Sequence, residues 1–295
     1  MRAVAVFPSS KTISVVAHSE TTKECDTDVR LDVLDVGICG TDREIARFDY
    51  GTPPDGSPYL VLGHESLARV SAVGAGVGNI AVGDLVVTTV RRPCTQPWCR
   101  ACRAGRQDFC FSGLFTERGI NGRHGFMTER VVDDAQYMHV VPAHLRPVGV
   151  LVEPLTIAEK ALIQVWDVQE RLPWTAAGRS GDGHGQRAVV LGAGPVGLLG
   201  VLALLCRGFD VWVYSMDAAD SFKARWVASV GARYVSSSTA SLDALAQEVG
   251  NIDLIYEATG AAALSFDALR ILGVNGVFVF TGVPGRKGPF EIDGS

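Results

Sequence analysis

An α/β chain in two parts, an irregular all-β unit followed by a doubly wound parallel sheet, is what three features of this 295-residue sequence predict. Up to about residue 155, short alternating or β-branched runs sit between Gly, Pro and Asp turns. Beyond it, strand-like runs alternate with helical ones, and a glycine-rich turn joins the first such strand to its helix. Alternation of that kind buries a parallel sheet under helices on both faces.

Length and composition agree with two domains of roughly 150 residues each. Hydrophobic residues make up 47% and charged residues 20%, the balance of a globular chain with a sizeable core. A formal charge of −5 argues against broad phosphate-backbone binding, so nucleic acid is not an expected partner. The opening "MRAVAVFPSS" has a five-residue apolar run before Pro8, too short for a signal-peptide core. The expected location is therefore the cytoplasm. There, seven cysteines point to a metal or redox centre rather than a disulfide framework.

In the first part the strand candidates are "TISVVAH", "VRLDVLDVGI", "LARVSAVG" and "DLVVTTV". A helix is expected over "EPLTIAEKALIQVWDVQERL", then a connecting loop over "TAAGRSGDGHGQ". This sets domains at 1–155 and 187–295, with a linking helix and loop over 156–186. Strands then follow at "AVVLG", "DVWVYS", "RYVSS", "DLIYEATG" and "GVFVFTG". The intervening helices start at Pro195 and cover "SFKARWVASV", "SLDALAQEV" and "AALSFDALRIL". One run, Ala188 to Cys206, is nineteen residues without a charge, the length of a membrane span. Its glycines and Pro195 break it into strand, turn and helix instead, and no membrane partner is expected.

Three motifs carry chemistry. Gly192, Gly194 and Gly197 form G-x-G-x-x-G between a strand and a helix, the setting in which Gly192, Gly194, Pro195, Val196 and Gly197 can hold a dinucleotide pyrophosphate. The acid that would select NAD is replaced by Ser215, and Asp217 stands two residues on, so NAD and NADP both remain open. Cys94, Cys99, Cys102 and Cys110 form C-x4-C-x2-C-x7-C, which fits a closed structural Zn²⁺ site; a redox dithiol and a zinc ribbon are the alternatives. Finally Cys39, His64, Glu65 and Glu153 offer sulfur, imidazole and carboxylate, a set suited to a second zinc with one open position. Taken singly, Cys39 is more often a small buried hydrophobe and His64 more often a satisfied structural histidine.

"GICGTD", "GHE", the four-cysteine loop, "EPL" and the glycine turn occur in an order that resembles the zinc-containing medium-chain alcohol dehydrogenases. "CGTDREI", "HGFM" and "LVEPL…EKA" look like their microbial glucose dehydrogenase branch, over essentially the whole chain. The resemblance implies a GroES-like catalytic domain and a Rossmann domain with the active site in the cleft between them, and a homo-oligomer, either dimer or tetramer. It implies Cys39, His64 and Glu153 as catalytic zinc ligands, with Glu65 as alternate or supporting carboxylate. It also implies Thr41 as the hydroxyl that takes the substrate proton, and Glu117 as a sugar ligand, the alternative for Glu117 being a solvated loop acid.

The implied reaction is hydride transfer from a sugar or polyol to NAD or NADP, an aldose giving a lactone. Another secondary alcohol as substrate, or a catalytically silent zinc protein, are the alternatives. Departures from the pattern are the longer first gap in the cysteine loop, Ala68 in place of a glycine, and Val90 where the branch can carry a sugar-binding asparagine. Cys25 and Cys206 match nothing, and Cys206, on an apolar helix, reads as core. Proteins of this resemblance continue past the fifth strand, whereas this sequence stops at "PFEIDGS". The expectation is a truncated dehydrogenase that keeps the zinc and dinucleotide motifs, whose residues 276–283 form an unpaired apolar edge, and which is poorly soluble or associates through that edge, with weak or no turnover.

Overall fold

The structure is a computed structural model and describes residues 1–19, 25–172 and 182–282. Most of the expected loop over "TAAGRSGDGHGQ" lies outside the described residues, as does residue 283 of the expected edge. The chain divides into two compact units between Glu153 and Pro154.

The first unit opens with strands β1 (Arg2–Phe7), β2 (Thr12–Ala17) and β3 (Asp28–Gly37), then a short helix, α1 (Gly40–Ala46). Next come β4 (Leu60–Val61), β5 (Glu65–Val73), β6 (Leu85–Thr88) and β7 (Arg91–Arg92). A one-turn helix, α2 (Arg100–Arg103), precedes β8 (Thr116–Arg118), β9 (Gly122–Arg123), β10 (Arg130–Asp134) and β11 (Met138–Val141). The main sheet runs β10-β3-β5-β6-β11, antiparallel throughout. Because successive strand residues face opposite sides, Ala68, Val70 and Val86 join one apolar cluster while Leu67, Leu85 and Val87 join another. Ala68, at 1% exposure, is thus core and not a turn residue.

One register matters most for the site. Gly37, the last residue of β3, pairs with Glu65, the first of β5. The chain segments carrying Cys39 and His64 therefore emerge at the same end of two hydrogen-bonded neighbours.

The second unit begins in α3 (Val152–Gln169), the expected linking helix. It continues β12 (Arg187–Leu191), α4 (Pro195–Cys206), β13 (Asp210–Ser215), α5 (Phe222–Ser229) and β14 (Arg233–Ser236). After these come α6 (Leu242–Val249), β15 (Leu254–Glu257), α7 (Ala262–Asp267) and β16 (Val277–Phe280). Where one longer last helix is expected, α7 gives way to a 3₁₀ turn over Ala268–Ile271. The sheet is parallel in the order β14-β13-β12-β15-β16, with β16 at one edge. Val190, Leu254 and Tyr256 pack on one face with residues of α3 and α4; Val189, Leu191 and Ile255 pack on the other with α6.

The uncharged run resolves as expected into β12, a turn and α4. Among the described residues no helix is long and apolar enough to cross a membrane. Cys206 corrects its expectation: as the last residue of α4 it turns outward and is exposed, because the buried face of that helix is carried by Leu199, Val201, Ala203 and Leu204.

Candidate active site

Cys39 follows β3 and caps α1, its backbone N–H donating to Asp42 Oδ2 at 3.0 Å. Its sulfur lies 3.2 Å from His64 Nε2. The other imidazole nitrogen, Nδ1, faces Asp42 Oδ1 at 3.5 Å, an ion-pair contact too long to count as a formed hydrogen bond. Asp42 and His64 are both buried. Burial opposes a charged imidazole, yet Asp42 and Cys39 on its two sides outweigh it and push His64 up to about 11. Asp42 would likewise be raised by burial, but His64 and the Cys39 amide hold it below the ordinary carboxylate value. Thr41 sits in the first turn of α1, partly exposed.

Of the four sequence-derived candidates, Cys39, His64 and Glu65 bring their ligand atoms within 4.8 Å of one another. Glu153 does not share that spacing. It stands close enough for its charge to be coupled to theirs: burial first, then Glu65, Asp42 and Glu117, push it up to about 7 against the pull of His64. A tetrahedral zinc with bonds of 2.0–2.3 Å needs ligand atoms about 3.3–3.8 Å apart. The donor set of thiol, imidazole and carboxylate at this spacing fits zinc.

Glycines give the cluster its room. Gly63 has φ +88, and a Cβ on Gly125 or on Gly119 would fall 2.3 Å from the Gly63 carbonyl oxygen. Three backbones therefore meet directly behind His64. A Cβ on Gly37 would similarly land 2.1 Å from Glu65 Oε2.

The four loop cysteines also converge, all four sulfurs lying within 4.8 Å, with Cys99 and Cys110 3.9 Å apart. Cys94 is included despite the longer gap before Cys99, and the convergence of four thiols, not two, fits a closed site. The Ser112 hydroxyl, 3.1 Å from Cys110 Sγ, draws that thiol down to about 6, toward the thiolate a metal requires.

In the second unit the strand order reverses at β12, so β12 and β15 flank the crevice where such sheets bind ligands. Gly192 adopts φ +99, and a Cβ on Gly197 would lie 2.1 Å from its carbonyl oxygen, so helix and strand pack backbone to backbone. At Gly194 nothing comes within 4 Å of the place a Cβ would occupy, leaving open approach to the first N–H groups of α4. That combination fits a pyrophosphate. Ser215 Oγ accepts from the Ala193 N–H and contacts Asp217.

Comparison with known proteins agrees with both halves. Residues 25–143 match the alcohol dehydrogenase GroES-like domain, and residues 146–295 match the glucose dehydrogenase C-terminus. The glucose 1-dehydrogenase of Methanocella arvoryzae is 38% identical over 283 residues, 96% of this chain and 76% of that protein. One of the glucose 1-dehydrogenases of Caldivirga maquilingensis is 41% identical over 286 residues, 96% of this chain and 75% of its own length.

The chain belongs to the glucose dehydrogenase family. Its fold matches that of Haloferax mediterranei glucose dehydrogenase, solved in complex with NADP, Zn and gluconolactone, with a TM-score of 0.85 at 29% identity, over 99% of this chain and 79% of that one. Within this family fold, Glu117 is a strand residue of β8, buried, receiving a hydrogen bond from Arg91 Nε at 2.9 Å. A solvated loop acid it is not. Val90, partly buried, packs against the cluster of Val6, Ile45, Leu60 and Ile120.

Sequence reasoning missed Asp42, Arg91, Gly119, Gly125 and Glu257. Asp42 had a signal, standing three residues after Cys39 as the closing member of a cap. Glu257, fully buried at the end of β15, accepts from the Thr259 and Gly260 N–H groups at 2.6 and 3.0 Å and so shapes the loop beside the glycine turn. Its signal was only an acid in an otherwise apolar strand.

Proposed function

We propose that this chain is a zinc-dependent dehydrogenase that oxidises an aldose, glucose above all, to its lactone with NAD or NADP. The observation that carries the reading is the convergence of Cys39, His64 and Glu65 in a chain of the glucose dehydrogenase family. Those three residues would hold the catalytic ion, and Cys94, Cys99, Cys102 and Cys110 a structural one. Bound zinc supplies a Lewis acid that eases loss of the sugar hydroxyl proton near neutral pH.

The chain's own residues do the rest. Asp42 faces the free nitrogen of His64 and fixes the ring so that Nε2 points at the ligand cluster. Thr41 takes the substrate proton and passes it to solvent. Glu117, steadied by Arg91, and Glu153 accept hydrogen bonds from sugar hydroxyls. Gly192, Gly194, Pro195, Val196 and Gly197 hold the pyrophosphate, and Ser215 and Asp217 meet the adenosine ribose. NAD or NADP, when bound there, would supply the acceptor for the hydride on C1, and loss of that hydride together with the hydroxyl proton would leave the lactone.

In solution the protein is proposed to be a cytoplasmic homo-oligomer. A panel of aldoses, polyols and simple secondary alcohols with both cofactors, read at the reduced-nicotinamide absorbance, tests the substrate. Preference for a simple alcohol over every aldose would overturn it. Metal analysis should find about two zinc ions per chain.

A further inference from the structure

The glycine turn leads to a charge pair that the sequence did not reveal. Ala193 N–H donates to Ser215 Oγ at 3.3 Å, Ser215 Oγ donates to Asp217 Oδ2 at 3.3 Å, and Lys223 Nζ reaches Asp217 Oδ2 at 3.0 Å and Oδ1 at 3.3 Å. Three consecutive contacts thus run from the pyrophosphate turn to an ammonium on α5. Tyr234 donates its hydroxyl proton to the Asp217 carbonyl at 2.9 Å and fixes the backbone there. Arg225, the other cation on this stretch, is turned to the Asp220 carbonyl instead.

Resting on the dinucleotide reading above, we propose that Lys223 is the residue that recognises the 2′-phosphate of NADP, and that Asp217 recognises the unphosphorylated ribose of NAD. An acid at the end of β13 would repel a 2′-phosphate; the neutral Ser215 does not. The remaining negative charge, Asp217, is already countered by Lys223, whose side chain is 43% exposed and free to turn part of its donor capacity to an incoming phosphate. Asp217 in turn, held ionised by the Lys223 contact, keeps an acceptor for ribose hydroxyls. One ion pair thus serves both cofactors, and the balance between its two members sets the preference.

Adenosine 2′,5′-bisphosphate and 5′-AMP, titrated calorimetrically into the full chain without substrate, separate the two roles. Lys223→Ala should weaken the bisphosphate about tenfold, a change of about 1.4 kcal/mol, because a charge-assisted contact is lost and Asp217 is left unbalanced. Binding of 5′-AMP should change by less than about twofold, a difference below about 0.5 kcal/mol. Lys223→Arg should restore the bisphosphate, and Asp217→Asn should tighten it while weakening 5′-AMP. Unchanged bisphosphate binding in Lys223→Ala, or equal loss of both nucleotides, would overturn the assignment and leave the dinucleotide reading standing. Failure of the wild-type chain to bind either nucleotide would overturn the dinucleotide reading itself.

Discussion

Asp42 illustrates how much of the candidate site rests on one side chain. Its carboxylate uses one oxygen to cap α1 through the Cys39 N–H and the other to face His64 Nδ1. It therefore couples the backbone that carries one candidate ligand to the ring that offers another. Asp42→Ala should lower zinc affinity about 10- to 100-fold, the usual effect of removing the partner behind a ligating histidine. Competition with a chromophoric chelator measures this, and unchanged affinity would show that packing alone orients the ring.

A different carboxylate governs stability. Asp133 is buried between Arg92, 2.5 Å from its Oδ2, and Arg118, 2.9 Å from the same atom. Burial alone would raise its pKa, but the two guanidinium groups outweigh that and hold it below the usual carboxylate range. A lowered folded value means that its contribution is present above the unfolded value near 3.8 and is lost as pH falls through the lower, folded one. Asp133→Asn should cost about 3–5 kcal/mol at pH 7 by stranding two buried charges. Urea melts at pH 7 and pH 3 should also show the variant losing less stability on acidification than the wild type.

At the scale of elements, the close approach behind His64 makes a glycine indispensable. Gly125 donates its N–H to Val61 and leaves no room for a methyl group, since a Cβ would sit 2.3 Å from both the Gly63 and Leu62 carbonyl oxygens. Gly125→Ala must push its own backbone away from Leu62 and Gly63, the stretch that leads from β4 into His64. The expected cost is about 1–3 kcal/mol, with a loss of zinc that a surface Gly→Ala such as Gly56→Ala does not share. Equal zinc retention in the two variants would refute this.

The cysteine loop behaves differently. Between Cys94 and Cys110 the only regular elements are the one turn of α2 and the 3₁₀ turn Gln107–Phe109, and Trp98 and Phe111 are exposed rather than packed in a core. The order of the loop would then come from the proposed metal on its four cysteines. Cys102→Ser should lower the melting temperature and should make it insensitive to chelator, because a structural zinc contributes folding energy directly; a melting curve equal to wild type would remove the staple from the account.

For the molecule as a whole, separate cores predict separable consequences. The proposed ligands Cys39, His64 and Glu65 belong to the first unit, while the glycine turn and the Asp217–Lys223 pair belong to the second, which buries its own apolar clusters on both sheet faces. His64→Ala should therefore abolish turnover yet leave nucleotide binding and cooperative melting intact. Loss of nucleotide binding in that variant would contradict the independence of the two.

By itself the sequence determined what short-range patterns can encode. The alternation of strands and helices after residue 155, the division of the uncharged run at Gly192–Pro195, and the spacing of the four cysteines are all local, and each appears in the structure where expected. Glu65 standing with Cys39 and His64, Asp42 facing His64, Glu117 buried against Arg91, and Lys223 held on Asp217 were decided only by the tertiary structure. These pairs depend on the register of β3 against β5, on the pairing of β7 with β8, and on where the segment after β13 meets α5. Register is fixed by which faces are buried across the whole sheet, and a one-residue slip would turn the strand residues Glu65 and Glu117 to the other face.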